Sequence, residues 1–140
     1  MNGPSPERVM QLITGGWAAS VLGAAARHGL FTVLDAHPDD AQCVAKRAGI
    51  SIRGAQALLD GLTGLGLLTS SNRTYRNTPE AAAFLVKGAP GYLGALAEVF
   101  LEDFGTWQKM PEAVKTGLPV ARHTADVSDN PFWHVLVTAI

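Results

Sequence analysis

The chain opens on an apolar stripe at helical spacing. Val9, Leu12, Ile13, Gly16, Trp17, Ser20, Val21 and Ala24 recur at the interval that places side chains on one face of a helix. Ser5 before Pro6 and Glu7 marks a helix start and Gly29 a stop, which predicts a helix over residues 6–28. Gly15, Gly16, Ala18, Ala19, Gly23 and Ala25 leave this helix small on nearly every side. A glycine inside a helix costs about 1 kcal/mol relative to alanine. Two adjacent ones need a compensating contact, expected from a second helix packed close, in this chain or in another copy. Leu30, Phe31 and Leu34 predict a short helix after Gly29.

The polar turn His37-Pro38-Asp39-Asp40 leads into the next helix. Asp39 with Gln42 three residues later reads as a capping box. Ala41, Val44, Ala45 and Ala48 form the apolar stripe, and Gly49 the stop. Ser51 then caps a longer helix whose inward stripe is Ala55, Leu58, Leu59, Leu62 and Leu65. Two helices joined through Gly49-Ile50-Ser51 make a helix-turn-helix. After Gly66 the period shortens to that of a strand. Leu67–Thr69 and Thr74–Arg76 read as strands around a turn at Ser70–Arg73.

Helix-turn-helix followed by a hairpin is a winged helix. The expected class is therefore mainly α, with a small β-hairpin wing and additional helices at both ends. Thr78 caps a helix that opens with Pro79 and Glu80 and runs through Phe84, Leu85 and Val86 to Gly88. Ala89-Pro90-Gly91 is a break, which divides a winged-helix part, residues 1–90, from a helical extension, residues 91–140.

In that extension a long helix from Tyr92 carries Leu93, Leu96, Ala97, Phe100, Phe104 and Trp107 on one stripe, with Glu98, Glu102 and Asp103 mostly off it. Pro111 falls at or just beyond its end, and a short helical piece spans Glu112–Thr116. His123–Asn130 is polar and loop-like. Pro131-Phe132-Trp133 opens a last helix that reaches Ile140 without a cap, so the pattern predicts a chain that continues.

Composition narrows the picture. The chain has 140 residues, 47% hydrophobic and 16% charged, which suits one domain with a core rather than a disordered segment. Its single cysteine, Cys43, excludes an internal disulfide and fits a reducing, cytoplasmic setting. The apolar run Leu12–Ala26 behind Arg8 imitates a secretory leader, but its helical periodicity favours a core helix. No uninterrupted apolar run has the length of a bilayer span.

Catalytic chemistry is sparse. Gly61-Leu62-Thr63-Gly64-Leu65-Gly66 has the glycines of a phosphate loop in the wrong order, and it ends a helix where such a loop must open one. His28, His37, His123 and His134 have no ligand partner at helical spacing, so no metal site is expected. Cys43 has no adjacent base and reads as a buried small hydrophobe. No catalytic residue can be nominated.

A DNA-reading role for the helix-turn-helix would use Lys46, Arg47, Arg53, Arg73 and Arg76 on phosphates, and Arg53 and Gln56 on base edges. The net charge of -1 argues against it, as do seven basic against six acidic residues over positions 1–80. Scaffold use of the fold is the leading reading, and a stand-alone winged-helix transcriptional regulator the alternative. Phe100, Phe104 and Trp107, with Trp17, Phe132 and Trp133, line either a core or interface, or an apolar ligand pocket.

Several segments together carry a resemblance. They are Ile13-Thr14-Gly15-Gly16-Trp17-Ala18, Ala24-Ala25-Ala26-Arg27-His28-Gly29-Leu30-Phe31, Leu58-Leu59-Asp60-Gly61-Leu62 with Leu65-Gly66-Leu67-Leu68, and Tyr75-Arg76-Asn77-Thr78-Pro79. Later come Trp107, Val114-Lys115-Thr116-Gly117 and Phe132-Trp133. In this order the chain resembles the N-terminal dimerisation domain of bacterial S-adenosylmethionine-dependent O-methyltransferases. That group modifies polyketides, carotenoids and bacteriochlorophylls and is related to plant small-molecule O-methyltransferases.

The resemblance implies a homodimer in which this domain intertwines two subunits and covers a hydrophobic small-molecule substrate. S-adenosylmethionine would be bound by a separate Rossmann-like domain, with no nucleic acid, membrane or metal involved. The family's acidic D/E-x-G-x-G-x-G donor loop and its catalytic histidine have no counterpart here, so this chain alone is not expected to be catalytic. The implied substrate-wall residues are Trp17, Phe104, Trp107, Met110 and Phe132.

Overall fold

Local chemistry places most of the helix ends. In the computed structural model, which describes residues 3–120 and 131–139 (in the last stretch with the side chains of 133–137 alone), α1 spans Glu7–Arg27, α2 Leu30–Ala36, α3 Ala41–Ala48 and α4 Ile52–Gly64. Ser51 caps α4 by accepting the Gly54 N–H at 3.0 Å. Gly49 ends α3 at φ 68°, a left-handed conformation that glycine adopts without steric cost. Ser5 Oγ accepts the Glu7 N–H at 3.3 Å, although Pro6 occupies the cap position of α1.

The α3 cap falls one residue later than the capping box predicts. Asp40, not Asp39, accepts the Cys43 N–H at 2.9 Å. Asp39 is held elsewhere: its carbonyl accepts the Tyr75 N–H at 2.9 Å, and its carboxylate pairs with Arg47 at 3.2 Å. The strands β1 (Leu68–Ser71) and β2 (Thr74–Asn77) pair antiparallel, with Ser71 opposite Thr74. The turn is therefore tighter than the four residues expected, with Asn72 and Arg73 alone between the strands, at φ 49° and 63°.

Thr78 caps α5 (Pro79–Phe84) by accepting the Ala81 N–H at 3.2 Å. This helix stops short of Gly88, and Leu85 and Val86 are instead buried in the turn that follows it. Beyond it lie α6 (Gly94–Trp107), α7 (Met110–Thr116) and α8 (Pro131–Ala139). Pro111 sits in the first turn of α7 rather than past a helix end, because a helix start has no use for the N–H that proline lacks. The expected loop at His123–Asn130 lies outside the described residues.

The core is built by the winged helix. Leu30, Phe31 and Leu34 from α2, Val44 from α3, Leu59 and Leu62 from α4, Leu68 and Tyr75 from the wing, and Ala81 from α5 are buried together. Burying a side chain the size of leucine or phenylalanine is worth about 1.5–3 kcal/mol. Leu65 departs from the predicted stripe: as the C-terminal residue beyond α4 it is 44% exposed.

The long helix α1 divides into two halves. Its second half joins the protein, with Gly23, Ala25 and Ala26 buried and Val21 beside Gly61 of α4. Its first half does not pack as a core helix within this chain. Val9, Leu12, Ile13 and Trp17 are exposed, Trp17 at 72%. The helix that accounts for its glycines is α6. A Cβ built at Gly16 would stand 2.8 Å from the ring tip of Phe104, and one at Gly23 2.8 Å from Leu101 Cβ and 2.9 Å from the Ala97 carbonyl oxygen. Gly15 has open space instead. With 21 residues, α1 also has the length and apolar composition of a membrane span, which a search for unbroken apolar runs misses because Gly, Ser and Thr interleave. Its C-terminal half is packed on α4 and α6, and helices within folded domains meet the same length and composition test.

Candidate functional site

The winged helix presents its α4 face already engaged. Tyr75 Oη donates to Asp60 Oδ1 at 2.6 Å, while the Gln56 amide donates to Tyr75 Oη at 2.7 Å and to Asp60 Oδ2 at 2.9 Å. These bonds hold the Asp60 carboxyl below its ordinary range, Tyr75 contributing most. Burial, followed by the Asp60 contact, pushes the Tyr75 phenol up. Gln56 is thus fastened to the wing rather than extended as a base reader. Arg47 is similarly occupied, donating to the Val33 and His37 carbonyls at 3.0 and 2.9 Å as well as pairing with Asp39. Beside Gln56 and Tyr75 lies a polar cleft of about 170 Å³ with Asp40 and Arg73 on its walls.

Cys43 is exposed, contrary to the sequence expectation, because the inward stripe of α3 is Ala41, Val44 and Ala45. Its thiol is pushed up by partial desolvation and by the Asp39 and Asp40 carboxylates, so it keeps its proton. Ligand atoms of Asp39, Asp40 and Cys43 lie within 4.8 Å of one another, but the Arg47 pairing of Asp39 already supplies a cation there.

The second cleft is apolar. At the junction of α6 and α7, Trp107, Met110, Ala113, Pro119 and Val120 line a volume of about 240 Å³, and Asp103 and Thr106 add the polar groups. Of the five expected wall residues, the structure brings Trp107 and Met110 together here. Phe104, half-buried, covers Gly16 at the α1–α6 contact. Trp17 stands on the outer side of α1, and the side chain of Phe132 lies outside the described residues. Asp103 and Thr106 were not singled out from sequence. Their signal is helical spacing from Trp107 and Met110, which a reading of apolar positions alone passes over.

Arg27 ties the end of α1 to α6, its Nη2 lying 2.7 Å from Glu102 and its Nε 3.8 Å from Glu98. Both pairs are at the surface and each is worth at most about 1 kcal/mol.

The chain is a mainly α winged-helix domain whose α4 is bonded to its wing and whose N-terminal helix leaves an apolar face open. Residues 10–87 match the O-methyltransferase dimerisation domain, and the chain belongs to that family. It is 37% identical over 142 residues to a 3-hydroxy-5-methyl-1-naphthoate 3-O-methyltransferase of Streptomyces sahachiroi, an alignment covering 95% of this chain and 41% of that one. It is also 37% identical to the tetracenomycin polyketide synthesis 8-O-methyl transferase TcmO of Streptomyces glaucescens, covering 80% of this chain and 34% of the relative. Among solved structures, human N-acetylserotonin methyltransferase in complex with SAM superposes with a TM-score of 0.74 at 26% identity, covering 83% of this chain and 36% of that one. The chain thus spans about two-fifths or less of these relatives' lengths.

Proposed function

We propose that this chain is the dimer-forming and acceptor-covering part of an S-adenosylmethionine-dependent O-methyltransferase of secondary metabolism, acting in the cytoplasm on a hydrophobic small molecule. The observation that carries the reading is the division of α1 within a chain of this family. One half is packed on α4 and α6, while Val9, Leu12, Ile13 and Trp17 face outward. A second copy of the chain is the natural cover for that face. Residues 1–90 supply the winged-helix scaffold, and residues 91–140 extend it toward a donor-binding domain.

The methyl donor, when bound, supplies an already activated methyl group. The residues of this chain do not fit that donor: the Gly61–Gly66 run ends α4 and leads into β1 instead of opening a helix after a strand. No step of methyl transfer is therefore assigned to this chain, and by itself it is not catalytic. Its part is to hold the acceptor and exclude water, so that the acceptor oxygen is aligned with the methyl carbon. Trp107 and Met110 form the wall that the cleft supports best, with Trp17, Phe104 and Phe132 as further wall candidates, Trp17 reaching an acceptor only across a subunit contact.

The test is Trp107→Ala in the intact enzyme. The acceptor KM is expected to rise more than donor affinity falls. Equal loss of both would remove Trp107 from the acceptor wall.

A further inference from the structure

The polar cleft between the wing and the first turns of α3 and α4 carries one charge of each sign. Arg73 and Asp40 both line its volume of about 170 Å³. They make no ion pair, and Arg73 has no hydrogen-bond partner among the described residues. The Asp40 carboxyl is held below its ordinary range first by the Cys43 N–H it accepts and, more weakly, by the field of the Arg73 guanidinium. The two charges thus sense each other across a gap without meeting.

Arg73 stands where the fold gains nothing from it. It is the second central residue of the wing turn, at φ 63°, a position that glycine fills without strain. Strained residues of this kind cluster at ligand clamps, where the surrounding structure holds them in place for use. The opposite wall suits a cation. Both N–H groups of the Gln56 amide are taken, by Tyr75 Oη at 2.7 Å and Asp60 Oδ2 at 2.9 Å, so the carbonyl oxygen of Gln56 is the group left for a ligand. Asp40 commits Oδ1 to the Cys43 N–H and keeps Oδ2. Ala41 and Ile52 add apolar surface between these groups.

A ligand with a single charge is attracted by one wall and repelled by the other, whereas a zwitterion is attracted by both. We infer that this cleft binds a small α-amino acid. Its carboxylate sits on Arg73, whose guanidinium can offer two parallel N–H donors. Its ammonium donates to Asp40 and to the Gln56 carbonyl, and a short apolar side chain rests against Ile52. The cleft shares no residue with the one between α6 and α7, and its test does not depend on the reading proposed for that cleft.

The probes are L-valine, 3-methylbutanoate, which lacks the ammonium, and isobutylamine, which lacks the carboxylate. Each is titrated into the intact enzyme at neutral pH and followed by saturation-transfer NMR. L-Valine is expected to bind about fivefold more tightly than either, as suits charge pairs open to water. Arg73→Gly, which suits the turn, is expected to erase the advantage over isobutylamine while isobutylamine itself binds no less tightly, so the cleft is intact. Asp40→Asn, which keeps a capping side chain on α3, is expected to erase the advantage over 3-methylbutanoate. If L-valine binds no more tightly than its two halves, the inference falls. It falls equally if the advantage over isobutylamine survives in Arg73→Gly, since the amino acid is then bound elsewhere, or if the advantage over 3-methylbutanoate survives in Asp40→Asn.

Discussion

Gly23 of α1 faces Leu101 of α6 so closely that a single added Cβ would lie 2.8 Å from the Leu101 Cβ and 2.9 Å from the Ala97 carbonyl oxygen. Neither obstacle is the free end of a side chain, so α6 would have to move. Gly16, about two turns earlier by helix geometry, meets only the tip of the Phe104 ring, at 2.8 Å. A ring can swing aside more cheaply than a backbone. Gly23→Ala is therefore expected to destabilise the chain by about 1–3 kcal/mol, the usual cost of overpacking. Gly16→Ala should be close to neutral, since about 1 kcal/mol of gained helix propensity offsets the ring's displacement. Urea denaturation of the two variants decides this, and equal losses would contradict the geometry.

The bond from Tyr75 to Asp60 ties the wing to α4, and it makes stability depend on acid. The folded Asp60 carboxyl titrates below its ordinary value of 3.8, so its contribution is fully present above that value and is lost as pH falls through the lower, folded one. Tyr75 is shifted the other way. Its contribution is present below the ordinary value of 10.0 and disappears as pH rises through the higher, folded one. Tyr75→Phe is expected to cost about 1–2 kcal/mol at neutral pH and to flatten the acid limb of the stability profile. A pH series of thermal melts in which Tyr75→Phe and the parent run parallel below pH 4 would contradict this coupling.

The wing turn holds an unfavourable residue. Both central positions of a two-residue hairpin turn of this type need positive φ, and Asn72 tolerates it where Arg73 does not. A left-handed conformation costs a side-chain-bearing residue about 1–2 kcal/mol. Arg73→Gly is accordingly expected to raise stability by about 1 kcal/mol in chemical denaturation, without change in the far-ultraviolet spectrum.

The proposed subunit contact makes its own prediction. Trp17→Glu places a charge on the outer face of α1, where the side chain is 72% exposed and the single chain gains little from it. Sedimentation should show a shift from dimer to monomer, while the unfolding midpoint extrapolated to the monomer stays near its original value. A variant that remains dimeric would move the contact elsewhere on the molecule.

Much of this molecule follows from its sequence alone, and the reason is local. Caps and stops act within a few residues, so Ser51, Thr78 and Gly49 end or begin their helices where the pattern places them. The helix-turn-helix follows from two helical stripes joined at Gly49-Ile50-Ser51, the hairpin from the change of apolar period after Gly66, and the family resemblance from the order of these segments. Tertiary structure decided whatever depends on residues far apart in the chain. It chose Asp40 over Asp39 as the cap because Asp39 is claimed by Tyr75 and Arg47. It bonded Gln56 to Tyr75 of the wing, nineteen positions onward. It gave Gly16 and Gly23 a partner in α6, more than seventy positions onward, and left Val9, Leu12, Ile13 and Trp17 of α1 uncovered. Asp103 was readable as a polar residue beside an apolar stripe, but only the packing of Pro119 and Val120 across the α6–α7 junction closes a cleft around it. Periodicity fixes which side of a helix a residue occupies. What that side meets is set by the contacts of the folded chain.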